Sequence, residues 1–568
     1  MRALLLVGIL FAGQDNPGPD RSPLDLALSA DGAWAVVANA TSDSVSLVDL
    51  AAGKVVAETP VGRRPFAVAL AGTRAVVTNL LDDSVTILEL PKLAVVATIP
   101  VGDEPRGVVL TKDRAYVALA GDDAVAVIDL ATKAVTRAPA GDEPWHLALS
   151  PDGTRLAVGN TLSMTVTVHD AATLALKHSV MMRGHNLRRI VASPDGAWVY
   201  VPNIAERGLA TTTNNIDRGW VVASRLSRVP LLVDAPREAI SLDPRGKAVG
   251  DVEGVAVSPD GKKIALAAGG THELLLLGLP LPFIAYGGPE DHIDPAVLRG
   301  LRRVPLGGRP TSAAFTPDGK SVVVTNYFAN ALQVVDVEKG ALASTIPLGG
   351  PAEPSLERKG EAIFYDAQRS FNQWYSCHSC HTEGHTNGAT FDTQNDGRYG
   401  NAKKTLSLRG VSKTGPWTWH GWQTDLKTAL THSMKTTMQG KEPSKEDLDA
   451  LLAFVKTLDH PPVAPGGEAA ARGAVVFKAK GCAVCHPAPE YTSDEIHLVG
   501  LESPNDAYKG FNPPTLKGVG RRNPWLHDGR ARTLEALLTK HHKPSDLNGR
   551  PDPTPAELAD LIAFLNSL

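Results

Sequence analysis

Between residues 23 and 349, apolar and polar positions alternate in short runs; after residue 350, apolar positions recur every third or fourth residue. The first pattern belongs to strands with one buried face, the second to helices with an apolar stripe. The strand runs repeat at roughly 40 residues, the spacing of propeller blades. Clear copies begin GRRPFAVAL (62–70), GDEPRGVVL (102–110), GDEPWHLALSPDG (141–153), DVEGVAVSPDG (251–261) and GGRPTSAAFTPDG (307–319). A second strand follows, such as RAVVTN (74–79), then a third, such as SVTILEL (84–90), and a shorter fourth, such as KVVAETPVG (54–62). Four short strands per repeat that cannot bury both faces alone must stack around an axis, which predicts an all-β propeller. Seven blades are expected over 23–349, starting near 23, 62, 102, 141, 184, 250 and 307, with insertions near 210–220 and 280–295.

The helical part is one module written twice. PSLERKGEAIF (354–364) matches GEAAARGAVVF (467–477), pairing Gly360 with Gly473 and Phe364 with Phe477. Each copy closes on a helix, SKEDLDALLAFVKTL (444–458) and TPAELADLIAFLNSL (554–568), and both show the spacing of a capping box, Ser444 with Asp447 and Thr554 with Glu557. The expected architecture is multidomain: the propeller, then two all-α modules at 351–460 and 461–568, joined by the linker HPPVAPGG (460–467).

Composition changes little: 43% hydrophobic, 21% charged and a net charge of −4 describe an ordinary globular chain, with no electrostatic case for nucleic acid. The start matters more. MRALLLVGILFAGQDNPG has one Arg, a short apolar run and turn-formers, which predicts a signal peptide over 1–18 and a periplasmic or secreted protein. The run is too short to span a bilayer, and no later stretch reaches that length.

All four cysteines lie in two pentapeptides, CHSCH (377–381) and CAVCH (482–486). In Cys-x-x-Cys-His, one turn presents two thiols to the two vinyl groups of a haem, and the adjacent His reaches the iron. Cys377, Cys380 and His381 are therefore expected to hold one haem c, and Cys482, Cys485 and His486 a second. A zinc site is the competing reading; the matching helix around each motif argues against it. For the first haem the sixth-ligand candidates are His432, Met434 and Met438, with an open position as the alternative. No methionine follows residue 438, so the second haem must look to His541, His542 or His527. His385 and Arg530 are candidate propionate contacts. The propeller histidines 146, 169, 185, 272 and 292 show no metal-ligand spacing, His185 in MRGHN being the one weak candidate.

VVTN and VVVTN resemble the repeat of YVTN-type propellers. Residues 351–568 resemble the bacterial diheme cytochrome c peroxidases, MauG-type enzymes included, through the paired modules, WTWHGWQTDL (417–426) and PPTLKGVGRRNPWLHDGRARTLEALL (513–538). The resemblance implies a peroxidatic first haem, an electron-transferring second haem, and Trp419 as relay between them. It implies hydrogen peroxide as a substrate, a small cytochrome or cupredoxin as electron donor, and a calcium ion near Asn401, Pro513 and Thr515. It also shows a departure. The family's active-site Gln and Glu fall at Ala429 and Gln439, leaving Gln439 and nearby Glu442 as distal-pocket candidates, and His541 stands where the family has an axial Met. Peroxide cleavage needs an acid–base group beside the iron. Two readings follow: a haem oxidoreductase, or an electron carrier or redox sensor whose propeller docks a partner.

Overall fold

In four of the repeats an asparagine ends the second strand and ties the repeat together. Asn39, Asn79, Asn160 and Asn326 are completely buried. Asn79 donates from Nδ2 to Ser84 Oγ (3.1 Å) and Thr86 Oγ1 (3.0 Å), while its Oδ1 accepts from Gly62 N (3.2 Å). One buried amide thus ties the second strand to the third and to the loop entering the blade, satisfying groups that would otherwise be costly to bury. The Ser/Thr-Pro-Asp-Gly turns are closed the same way: Ser258 Oγ donates to Asp260 Oδ1 (2.6 Å), which also accepts from Lys262 N (3.0 Å).

The structure, a computed structural model, describes residues 18–285, 292–463, 466–521 and 524–568. Seven four-stranded antiparallel sheets, over residues 23–60, 65–100, 105–139, 144–181, 191–241, 252–305 and 310–347, form the propeller. Each uses four consecutive strands, so no strand is exchanged to close the ring. Closure rests on side chains instead: Thr311 Oγ1 donates to Leu24 O (2.9 Å) and Ser312 Oγ to Asp25 Oδ1 (2.9 Å), joining the innermost strands of the last and first blades. The middle strands differ from the one-faced expectation. Arg74–Asn79 and Ser84–Glu89 are buried on both faces, because blades stack on either side; only outer strands such as Ala94–Pro100 stay largely exposed.

The fifth blade reaches out of the ring. Its strands Trp198–Glu206 and Val222–Pro230 are joined by a short helix, Thr213–Asp217, where the first insertion was expected. Ile204, Ile216, Val221 and Val222 enter one apolar core with Phe364, Tyr365, Trp374 and Phe391 of the helical region, and Thr211 N donates to Asp392 O (3.0 Å). Propeller and first module therefore share a core. The second insertion lies partly, and the expected signal segment 1–18 almost wholly, outside the described residues. Among the described residues no helix is long and apolar enough to cross a membrane.

Each helical module pairs its first helix with its last. Helix α1 (Leu356–Phe364) packs on α2 (Lys445–Val455), and α3 (Glu468–Ala479) packs on α4 (Pro555–Asn566). The glycines make the crossing possible: a Cβ on Gly360 would lie 1.9 Å from Ala450 O, and one on Gly473 1.9 Å from Asp560 O. Phe364 meets Phe454, and Phe477 meets Phe564, both with ring centroids 5.3 Å apart. Gly473→Ala should lower stability by about 3 kcal/mol in thermal or urea unfolding, because the backbone clash outweighs the helix-propensity gain of about 1 kcal/mol. The capping-box expectation is corrected at one end. Thr554 and Glu557 bond reciprocally, whereas Ser444 only accepts from Asp447 N, and the Asp447 carboxylate turns to Arg369 instead.

Candidate haem centres

The two Cys-x-x-Cys-His segments start from different local structures. Cys377–Cys380 is a helical turn capped by Ser376; Cys482–Val484 is a 3-10 turn preceded by Gly481 at φ +81°. They end alike. His381 Nδ1 donates to Leu406 O (2.9 Å) and His486 Nδ1 to Tyr491 O (3.0 Å). A carbonyl on Nδ1 fixes the tautomer and leaves the Nε2 lone pair for a metal. Burial pushes both imidazoles down to about 4 against those hydrogen bonds, so both are neutral at physiological pH. None of the four cysteines forms a disulfide. Two thiols, a neutral His with Nε2 free, and apolar surroundings are what a covalently attached haem requires; the residues fit the group at both motifs.

Pseudo-symmetry relates the two modules. Trp417 Nε1 donates to Val411 O and Trp525 Nε1 to Val519 O, both at 2.9 Å. Trp417 bridges Gln423 as Trp525 bridges Ala531. Thr418 and Leu526, the residues after those tryptophans, both have positive φ (76° and 71°). That turn aims the next residues, Trp419 and His527, at each other: their rings lie 6.3 Å apart, nearly perpendicular. The exchange is reciprocal, with Lys404 N donating to His527 O (2.6 Å) and Asn512 N to Trp419 O (2.9 Å). Trp419 Nε1 is held by Lys404 O (2.7 Å). Trp419 thus sits at the junction of the modules, and His527, 1% exposed and bonded to Ser503 Oγ (3.3 Å), is its counterpart there.

Sixth-ligand candidates separate by burial. Met434 and Met438 lie in the apolar core against which Cys377 and Cys380 pack, and Met438 Sδ is 4.0 Å from Cys377 Sγ. His432 is exposed, its ring edge-on to Trp422 at 5.7 Å. Counted from Trp417 and Trp525, Met434 and His542 hold the same position, each within or just after a π-helical turn (Ser433–Thr437, Leu537–His541). His542 faces His486 closely enough to act on its charge; burial pushes His542 down to about 4, and its buried Nδ1 has no partner among the described residues. His541 is the residue before it, at the end of the π turn.

Other candidates go elsewhere. Gln439 Nε2 donates to Thr436 O (2.6 Å), and Glu442 lies at the surface paired with Lys435. Arg530 is exposed and grips Asp528 in its own turn. His385 spans the modules, Nδ1 to Ser407 Oγ (2.9 Å) and Nε2 to Arg521 O (3.2 Å). Asn401, Pro513 and Thr515 do not form a cation cage. Lys403 Nζ donates to Asn401 Oδ1 (2.5 Å) and to Asp506, while Pro513 O accepts from Thr492 and Thr515 Oγ1 donates to Glu490 O. Among the described residues no cluster of three His, Cys, Asp or Glu could hold a metal. Lys403 Nζ thus engages Asn401, one of the three residues at which calcium was expected.

Sequence reasoning missed the polar contacts between propeller and modules. Glu383 pairs with Arg64 (2.5 Å) and Arg309 (3.7 Å), and Arg521 pairs with Asp103 and Glu104. A cavity of about 160 Å³ lies between propeller and both modules, lined by Glu104, Arg106, Glu143, His385, Arg409 and Arg521 among others. The one signal available in sequence was the repeated Gly-Asp-Glu-Pro (102–105, 141–144), whose acids face the modules.

The cytochrome c family model matches residues 470–568. The C-terminal module is a cytochrome c domain. The chain is 28% identical over 280 residues to hydrazine synthase subunit gamma of Kuenenia stuttgartiensis, covering 38% of this chain and 79% of that protein. It is 33% identical over 125 residues to methylamine utilization protein MauG of Methylorubrum extorquens, covering 18% of this chain and 35% of that protein. A solved chain of Kuenenia stuttgartiensis hydrazine synthase superposes with a TM-score of 0.53 at 26% identity, over 58% of this chain and 99% of that one. A seven-bladed propeller followed by a helical region with a cytochrome c domain and MauG-like relatives is what the repeats and motifs led one to expect.

Proposed function

We propose that the chain is an exported diheme c-type oxidoreductase in which electrons enter at the second motif and pass by Trp419 to the first. The observation that carries this is the module junction, where Trp419 stands between the two cytochrome c modules with its indole N–H and backbone both tied down. When bound, each haem supplies an iron that gains and loses one electron. His381 and His486 hold the irons through Nε2. Met434 or Met438 would be the further ligand for the first haem and His542 for the second; thioether sulfur at the first and nitrogen at the second would give the first haem the higher potential. Electron transfer from the second haem to the first would then be downhill. Val484, between the second pair of cysteines, is 71% exposed, and Val475 nearby in sequence is 68% exposed. That open apolar edge suits a small cytochrome or cupredoxin; the periplasm or cell exterior is where such partners would meet it. Calcium has no part in this reading, because Lys403 engages Asn401 and Asp506.

The second reading, an electron carrier or redox sensor, is favoured by one observation: neither Gln439 nor Glu442 supplies an acid–base group at the buried methionines. One protocol separates the two. Pyridine haemochrome assay should count two covalent haems per chain. Electron paramagnetic resonance of the ferric protein should show two low-spin sets, and the first electron added should remove the set assigned to the first haem. Re-oxidation of that half-reduced protein by hydrogen peroxide supports the oxidoreductase; inertness supports the carrier. The likeness to hydrazine synthase adds small nitrogen compounds to the substrates worth testing. One haem per chain, or a second-haem set that is reduced first, would overturn the reading.

A further inference from the structure

The two motifs differ at the residues between their cysteines. The second carries Ala483-Val484, and among the described residues no hydrogen bond or ion pair joins residues 482–486 to the propeller. The first carries His378-Ser379, both buried, and the side chains of Ser376, His378, Ser379 and Thr382 are each met by a propeller residue. Asp251 is 5% exposed; its Oδ2 accepts from Ser376 Oγ (2.5 Å) and its Oδ1 from Ser379 Oγ (2.6 Å). Asn186 Nδ2 donates to Ser379 O (2.7 Å), and its Oδ1 accepts from Thr382 Oγ1 (3.1 Å). Arg188 Nη2 donates to His378 Nε2 (2.8 Å), and the His378 ring lies on Tyr365 with centroids 4.4 Å apart. The fit leaves no slack beside the turn: a Cβ on Gly250 would fall 2.4 Å from Ala367 Cβ. One carboxylate, one amide and one guanidinium, from three points on the propeller, thus hold a five-residue turn that in the other module stands alone.

We propose that the propeller is a wall of the first haem centre: Asp251, Asn186 and Arg188 are positioning residues that lock the Cys377–His381 turn, seal its thioether edge from redox partners, and tune the first haem's potential and not the second's. The proposal rests on the reading that Cys377, Cys380 and His381 carry a haem. Ferric haem bears one more positive charge than ferrous haem, so the charges brought by the propeller act in opposite senses. A buried carboxylate favours the ferric state and a buried guanidinium the ferrous state. Duplication explains why the device is visible: one module was given polar residues where the propeller meets it, and the other kept small and apolar ones.

The test is a potentiometric titration of full-length wild-type, Asp251→Asn, Arg188→Gln and Arg188→Lys proteins, each first assayed for haem content by pyridine haemochrome. Wild type with two haems upholds the underlying reading; fewer than two fails that reading and leaves no first centre to tune. Given two haems, D251N should raise the first haem's midpoint and R188Q should lower it, with R188K close to wild type and the second haem's midpoint unchanged in all. Circular dichroism melts check that the variants fold. Should D251N fold poorly, Asn186→Ala, which carries no charge, should broaden the first haem's low-spin resonance without moving its midpoint in either charged sense. Shifts of the same sign for D251N and R188Q, equal shifts at both haems, or no shift at the first would overturn the proposal.

Discussion

A His542→Leu protein is expected to retain both covalent haems and to lose nearly all of the second haem's low-spin signal, replaced by a high-spin one, while the first haem is untouched. Attachment survives because Cys482, Cys485 and His486 are all present. The sixth position empties because His542, half-buried like His541, is the imidazole whose Nδ1 is buried without a partner among the described residues and which lies within electrostatic reach of His486. Leu fills a similar volume without a donor atom. His541→Leu is the control and should leave the spectrum as in wild type. His542→Met should restore a low-spin signal and raise the second haem's potential, since it places there the residue type the first module carries at Met434. Electron paramagnetic resonance of ferric samples reads all three. A high-spin second haem in H541L, with H542L unchanged, would sink the assignment.

How much of this was legible follows from the range of each interaction. The blades were, because Val76, Val77, Val85 and Ile87 declare their burial by local pattern, and because the turn chemistry of Ser258 and Asp260 needs only neighbours. The Cys-x-x-Cys-His segments were legible because their chemistry depends on adjacent residues, while Trp419 was expected only through the resemblance to the diheme peroxidases. The choice between His541 and His542 was not. The two side chains differ because His541 ends the π-helical turn Leu537–His541 and His542 follows it, and no residue in LLTKHH announces that turn. The propeller's grip on the first motif was hidden for a different reason. Asp251 and Ser376 are far apart in sequence, and an isolated Asp in DVEGVAVSPDG looks like any blade-entry acid. The same applies to Arg188, one of three arginines in an ordinary-looking loop.

Glu143→Gln should stabilise the protein by up to about 3 kcal/mol at pH 8 and hardly at all at pH 5, whereas Glu104→Gln should destabilise it by a similar amount at both. The two glutamates hold the same place in successive Gly-Asp-Glu-Pro repeats, and both line the cavity between propeller and modules. Their surroundings drive them apart. Burial pushes Glu143 up to about 7 against the pull of Arg106, from an ordinary 4.5. Burial also works to raise Glu104, but Arg106, Arg409 and Arg521 overcome it and hold that carboxyl down to about 2. The signs follow from linkage. Between pH 4.5 and 7 folded Glu143 keeps a proton that the unfolded chain has released, so stability falls as pH rises through that window, and above it the full cost of a buried carboxylate is present. Gln removes the cost only where Glu would be charged. Glu104 is the mirror case: its contribution is complete above the unfolded value of 4.5 and disappears as pH falls towards 2. Removing it also strands the guanidinium of Arg106, which is 2% exposed, and loses the 2.8 Å pair with Arg521 that ties the propeller to the second module. Wild-type stability should therefore peak near pH 5, and urea unfolding of the three proteins at pH 5 and pH 8 measures both effects. A Glu143→Gln effect that is equal at the two pH values would show that this carboxyl is already ionised at pH 5 in the folded protein, and so is not raised by its burial.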